Sequence, residues 1–259
     1  MYEQLRRGPL SDRDILQCLM EGDIKITPYT PDDAEEVLLV RESLARVRAH
    51  ELDPLKVASI DPNHQRAALL HKMLQPASID VVLDSTITTF EHTSDGHEQI
   101  IIPWAGQLGS PTKLFIEPGQ HFLLYPEQFI LGSTWEGLSF DNSIIGRFEG
   151  KSSLGRIGLA THITAGFIDP GWNGKITLEM KNNNQLPIAI LPGMKIGQFA
   201  FEYLSSPALV PYGESGNHYR GQSEATVADF SGFHVTDIYN GNNPAGSDTP
   251  LFSIDSMRK

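Results

Sequence analysis

Residues Gly146–Glu179 read GRFEGKSSLGRIGLATHITAGFIDPGWNGKITLE, and the end of this stretch decides the fold class. From Lys175 to Met180 the apolar residues Ile176, Leu178 and Met180 alternate with Thr177 and Glu179. A period of two places the first set on one face of a β-strand and the second on the other. Pro170-Gly171, just upstream, is a turn dipeptide. The same alternation continues outward from about Ser78 to Pro207. Short runs at Ile79–Leu83, Gln99–Ile102, Lys113–Ile116, His121–Leu124, Phe129–Leu131 and Ile188–Leu191 are separated by turn signals such as Pro118-Gly119 and Pro192-Gly193. Many short strands without intervening helices predict a mainly β body, a compact barrel or jelly roll.

Residues 1–75 read instead as helical. Leu10-Ser11-Asp12-Arg13-Asp14-Ile15 predicts an N-cap at Ser11 with Leu10 and Ile15 as a hydrophobic staple, followed by the apolar stripe Ile15, Leu16, Leu19, Met20. Thr30-Pro31-Asp32-Asp33 and Asp61-Pro62 predict two further helix starts, so the segment 31–74 reads as a helical insertion. The β body then occupies 76–222. The Gly-, Asn-, Ser- and Asp-rich tail, 223–259, is expected to be a flexible extension or a lid.

The chain has 259 residues, 40% of them hydrophobic, which is ample for a buried core. Its 32 acidic and 20 basic side chains give a formal charge of -12, arguing against non-specific nucleic-acid binding. A local cationic cluster still suits a phosphorylated small molecule. No apolar run is long enough to span a membrane, and the charged first 25 residues contain no signal-peptide core. A single cysteine, Cys18, excludes an intramolecular disulfide and makes a cytosolic location the simple expectation.

The quoted stretch also carries the chemistry. Gly150-Lys151-Ser152-Ser153-Leu154-Gly155-Arg156 combines two hydroxyls, two cations and flexible backbone, as a phosphate chain requires, although the G-x-x-x-x-G-K-[ST] spacing is absent. Asp169 precedes the Pro-Gly turn, where it either orients a water or sugar hydroxyl or simply forms the turn. Glu179, mid-strand, is a candidate for proton transfer, with a paired strand expected to bring Asp169 near it. His162, between two threonines, reads as a structural hydrogen-bonder more than a catalyst. The absence of H-E-x-x-H and C-x-x-C patterns predicts no zinc.

Taken together, L-S-D-R-D-I at 10–15, Q-P-A-S-I-D at 75–80, P-G-Q-H-F-L-L-Y-P-E-Q-F-I-L-G-S-T at 118–134, G-K-S-S-L-G-R, T-A-G-F-I-D-P-G-W, I-T-L-E and P-G-M-K-I-G-Q resemble the dCTP deaminases of the trimeric dUTPase-like superfamily. The resemblance implies a distorted β-barrel homotrimer with active sites between subunits. It makes Glu179 the proton shuttle for water attack at C4 of cytosine, and places Thr177 and Leu178 beside it. Gly166-Phe167, where deaminase-only relatives carry a His-Arg pair, resembles the bifunctional, dUMP-forming branch. In that branch the match to Asp169 helps position the water attacking the α-phosphate. Lys151, Ser152, Ser153, Leu154, Gly155 and Arg156 would bind the triphosphate, with Mg²⁺ held through its oxygens. Gln198, Tyr212 and Gln222 would complete the nucleotide site. Three departures stand out: the segment 31–74, His218 where the family's tail motif has a lysine, and the C-terminal extension past the family's usual end.

The resemblance implies hydrolysis of dCTP to dUMP, ammonia and diphosphate. Two alternatives stay open at this point: a monofunctional deaminase releasing dUTP, and a nucleotide-responsive trimeric interaction protein.

Overall fold

The structure, a computed structural model, describes residues 8–30, 38–42, 45, 65–90, 101–103, 107–164, 166–214 and 218–230. Contacts divide the chain into two units, one of residues 1–89 with 112–226, the other of residues 90–111 with 227–259. In the second unit an isolated bridge pairs Ile102 with Gln107.

In the first unit the elements run β1 (Gly8–Pro9), α1 (Asp12–Glu21), β2 (Ile24–Thr27), α2 (Gln65–Met73), β3 (Leu74–Gln75), β4 (Ser78–Val82), β5 (Thr86–Phe90), β6 (Pro111–Phe115), β7 (Phe122–Leu124), β8 (Phe129–Phe140), β9 (Ile144–Gly150), α3 (Ser152–Gly155), β10 (Leu159–Ala160), β11 (Phe167–Ile168), β12 (Asn173–Asn182), β13 (Ile188–Ile190) and β14 (Lys195–Tyr203). One antiparallel sheet has the order β11-β9-β14-β4-β3 with β1 on β14; a second has β10-β12-β8-β5-β6 with β2 on β8. A β13–β7 pair completes the set. The fold is mainly β, as predicted, and is a two-sheet jelly-roll arrangement without hydrogen-bonded closure into a full barrel among the described residues.

Both sheets share one apolar core. Ile79, Phe199 and Phe201 come from the first, and Ile130, Leu178 and Met180 from the second, each fully buried. Burying side chains of this size contributes roughly 2 kcal/mol apiece relative to exposure. The capping prediction for α1 holds: Ser11 Oγ accepts from the Asp14 N–H, while Asp14 Oδ2 accepts from the Ser11 N–H at 3.1 Å. Gly22 ends the helix at φ 84°.

The helical reading of residues 1–75 needs correction at 24–27. Ile24 and Ile26 are buried, Lys25 and Thr27 exposed, and this four-residue alternation pairs antiparallel with β8. A strand so short is easily overlooked between helix signals. The described part of the insertion is helical at 38–42 and in α2, whose Ala67, Leu70 and Met73 are buried. The predicted helix starts at Asp32 and Asp61 lie outside the described residues. The expected boundary at 222/223 falls within a docked segment: Gly221 N–H donates to the Asn173 carbonyl at 2.6 Å, Lys175 N–H to that of Gln222 at 2.9 Å, and Ala225 is buried.

Candidate functional site

The face of β12 that carries Glu179 is formed as the alternation predicts. Ile176, Leu178 and Met180 point into the core, while Lys175, Thr177, Glu179 and Lys181 lie on the other, partly exposed face. Glu179 is held by a loop rather than by a neighbouring strand. Its Oε2 accepts from the backbone N–H groups of Ile163 at 2.9 Å and Thr164 at 2.8 Å. Its Oε1 has only a long 3.4 Å contact from Thr164 Oγ1. Two charge-assisted bonds thus fix one oxygen and leave the other with a single weak contact among the described residues.

The expectation that a paired strand brings Asp169 to Glu179 is not met. The partners of β12 are β8 and β10, and Glu179 lies opposite Leu131. Asp169 sits at the Asn173 end, where its carbonyl accepts from the Trp172 N–H at 3.3 Å across a turn with Gly171 at φ 84°. The turn is therefore closed by backbone. The Asp169 carboxylate is exposed and hydrogen-bonded to nothing among the described residues. Beside it, the Tyr212 N–H donates to the Pro170 carbonyl at 2.7 Å, and the Tyr212 ring packs on Trp172 at 5.2 Å. Burial pushes the Tyr212 hydroxyl pKa up. Gln222 caps the start of β12, its Nε2 donating to the Lys175 carbonyl at 2.6 Å, and the Thr226 N–H donates to Thr177 Oγ1 at 3.3 Å. Asp169, Tyr212 and Gln222 thus sit at the Asn173 end of β12 and Thr177 further in, while Glu179 lies toward the other end of the same strand. Leu178 is the exception: its side chain is fully buried in the core, leaving only its backbone to contact a ligand.

The cationic loop forms a second cluster. Ser152, Ser153, Gly155 and Arg156 are exposed on and after the short α3, and the side chains of both serines and Arg156 have no hydrogen-bond partner among the described residues. Leu154 packs against the core. Lys151 is different, because its ammonium lies 2.6 Å from Asp80 Oδ1. Asp80, whose side chain is 3% exposed, also takes Lys195 at 2.8 Å and the Gln75 amide at 3.3 Å. Next to it, Ser78 Oγ donates to Gln198 Oε1 at 3.2 Å. Sequence reasoning assigned Gln198 but missed Asp80, Ser78 and Lys195. All three lie inside the Q-P-A-S-I-D and P-G-M-K-I-G-Q stretches, which were the available signal.

Gly166 and Phe167 lie between the clusters in sequence. Phe167 pairs with Arg147, whose guanidinium stacks 5.5 Å above its ring while bonding Glu202 at 2.9 Å. A Cβ on Gly166 would meet His162 Cε1 and the Phe148 carbonyl oxygen, each at 3.1 Å. His162 packs edge-on to Phe148, and its buried Nδ1 has no partner, so the hydrogen-bonder reading finds no bond there.

A third buried polar group belongs to neither cluster. Glu136 on β8 is fully buried and accepts from Tyr29 Oη and from the Val82 N–H at 3.1 Å. Burial raises its pKa to about 7, opposed by these hydrogen bonds and by Lys175. Lys175 itself is paired with Asp84 at 2.5 Å. Among the described residues no three His, Cys, Asp or Glu side chains converge as a metal site, and no helix is long and apolar enough to cross a membrane.

A family model described as dCTP deaminase-like matches residues 55–204. A Bifidobacterium adolescentis protein named "dCTP deaminase, dUMP-forming" is 40% identical over 88% of this chain and 98% of its own length. Proteins of the same name from Nocardioides sp. and Clavibacter michiganensis subsp. michiganensis are 48% and 49% identical, over 88% and 85% of this chain and 99% and 89% of theirs. A crystal structure of 2'-deoxycytidine 5'-triphosphate deaminase from Agrobacterium tumefaciens aligns at TM-score 0.46 and 19% identity, over 77% of this chain and 49% of that one.

Proposed function

The chain belongs to the dCTP deaminase-like family, and from that premise we propose that it hydrolyses dCTP to dUMP, ammonia and diphosphate. The observation that carries this reading is the Glu179 carboxylate, pinned through Oε2 by two backbone N–H groups while Oε1 has only a 3.4 Å contact from Thr164 Oγ1 among the described residues. Such a carboxylate can take a proton from a water at Oε1 as the water oxygen bonds to C4 of cytosine. It then returns the proton to N3, and a second transfer to the exocyclic amine lets ammonia leave and the C4 carbonyl form. Pre-organised N–H donors keep the acid in place through both transfers without reorganisation.

Asp169, its carboxylate unpartnered, is suited to orient the second water, which attacks the α-phosphate as diphosphate leaves. Ser152, Ser153 and Arg156 supply donors for the departing phosphates. Mg²⁺ fits here as a companion of the triphosphate, neutralising charge on its oxygens. Asp80 and Asp84 are already occupied by lysines, and among the described residues no three His, Cys, Asp or Glu side chains converge to hold the ion directly. The cation loop and the Glu179 lip share no hydrogen bond within one chain among the described residues. We infer from the family resemblance that the protein acts as a homotrimer with its sites completed between protomers.

Incubating the pure protein with dCTP and Mg²⁺ and resolving the products tests this reading. Equal release of ammonia, diphosphate and dUMP is expected. Accumulation of dUTP would leave the deaminase alone, and no turnover would favour the interaction-protein alternative. Sedimentation of the free protein tests the trimer.

A further inference from the structure

The triphosphate subsite in the reading above contains Lys151 and Arg156 as its cations. The structure adds a third. β14 is irregular between Lys195 and Gly197: Lys195 pairs with Val82, while Gly197 already pairs with Val81. One extra residue is therefore inserted, and a bulge of this kind re-aims a side chain. Without it, Lys195 and Gln198, three positions apart, would point to opposite faces. With it, both reach the same row on β4, Lys195 through Asp80 and Gln198 through Ser78. Ser78 and Asp80 are two apart and share one strand face.

Charge points the same way. Asp80 carries one formal negative charge and faces two ammonium groups, Lys151 at 2.6 Å and Lys195 at 2.8 Å. The next carboxylate in the row, Glu149 opposite Gln198, pairs with neither lysine among the described residues, so one positive charge has no ion-pair partner of its own. Lys195 is the more exposed of the two, at 38% against 25% for Lys151. Its three N–H donors go to Asp80, to the Lys72 carbonyl at 3.4 Å at the end of α2, and in one case to no protein acceptor among the described residues. A lysine with a spare donor and a surplus charge, turned toward Gln198 and the Lys151 end of the loop, fits an anion.

We propose that Lys195 is an additional phosphate-binding residue of the nucleotide site, with Asp80 holding it and Lys151 at a shared position until the triphosphate arrives. This rests on the deaminase reading and names a residue that reading does not include. The test is steady-state dCTP kinetics and inhibition by inorganic diphosphate in full-length Lys195→Met and Lys195→Arg proteins, with thermal melts alongside. Lys195→Met should raise KM for dCTP about tenfold and weaken diphosphate inhibition by a similar factor, with kcat within about twofold. Lys195→Arg should recover most of both. Unchanged KM and diphosphate inhibition in a folded Lys195→Met protein would overturn the proposal while leaving the deaminase reading intact. A lowered melting temperature with unchanged KM would do the same, assigning Lys195 to the Asp80 ion pair alone. If the wild type itself turned over no dCTP, the deaminase reading would fail first. Calorimetric binding of diphosphate to wild type and Lys195→Met would then still decide the role of Lys195.

Discussion

Around Asp80 the polar atoms are placed mainly by strands, Lys195 and Gln198 on either side of the β14 bulge, with Lys151 added from the start of α3. Around Glu179 they are placed by a loop. Asp80 sits mid-sheet on β4, opposite Gln198, and gathers Lys151 from 71 positions and Lys195 from 115 positions away in sequence. Glu179 also sits on a strand, yet both strong bonds to its carboxylate come from Ile163 and Thr164, which lie outside any strand. The first arrangement is rigid because moving it means breaking a ladder. The second rests on two loop N–H groups that keep their aim on one carboxylate oxygen while the other is left to take and give a proton. A site that must hold anion charge steadily, yet hand a proton on and off, has use for both.

The sharpest way to break the comparison is at Glu179 itself. Glu179→Gln keeps an acceptor for Ile163 and Thr164 but cannot carry a proton. Ammonia release should fall by about 10³-fold with the melt nearly unchanged. Retained ammonia release would remove Glu179 from the chemistry.

Next in size is the pH response of the core beneath both regions. Glu136 titrates near 7 in the fold against 4.5 ordinarily, so between those values the folded chain binds more protons than the unfolded one. Stability should therefore fall as pH rises through that window, by roughly 3 kcal/mol for this group. Glu136→Gln should flatten the decline in melting temperature between pH 5 and 8. An equally steep decline in the variant would assign it to other groups.

Asp80→Asn strips the counter-charge from two partly buried lysines. Discounted for their exposure, the loss should be roughly 2 kcal/mol in denaturant unfolding. It should also leave Glu179-dependent proton transfer largely intact if the two regions are independent. The smallest effect is expected at Gly166→Ala. The new methyl would press on the His162 ring and on the Phe148 carbonyl oxygen, each at 3.1 Å, beside the bond from the Phe148 N–H to the Gly166 carbonyl at 2.8 Å. His162 directly precedes the two residues that grip Glu179. Ammonia release should drop several-fold with less than about 1 kcal/mol lost in stability. An unchanged rate would show that the loop absorbs the methyl.

What could be read from sequence follows the same division. The face assignment of Thr177 and Glu179, the Pro170-Gly171 turn and the Ser11 cap are local, each decided by neighbours within a few positions. The links from Asp80 to Lys151 and Lys195, and from Tyr29 to Glu136 across 107 positions, depend on strand order, which no local pattern encodes. The seating of Thr226 against β12 was hidden for another reason. Its composition matches a solvated tail, and only the Thr177 hydroxyl and the Gln222 side chain give it a place. β2 was missed because four residues are too few to outweigh helix signals on both sides.

The stretch between Tyr29 and Lys72 is rooted at both ends in the same compact unit, through Glu136 at one stem and Lys195 at the other. For a chain so tethered, each doubling of the intervening length adds only about 0.6 kcal/mol of closure entropy. Descendants of this protein can therefore vary the length of that segment at small entropic penalty, provided the tyrosine, α2 and Val40, fully buried in the core, stay.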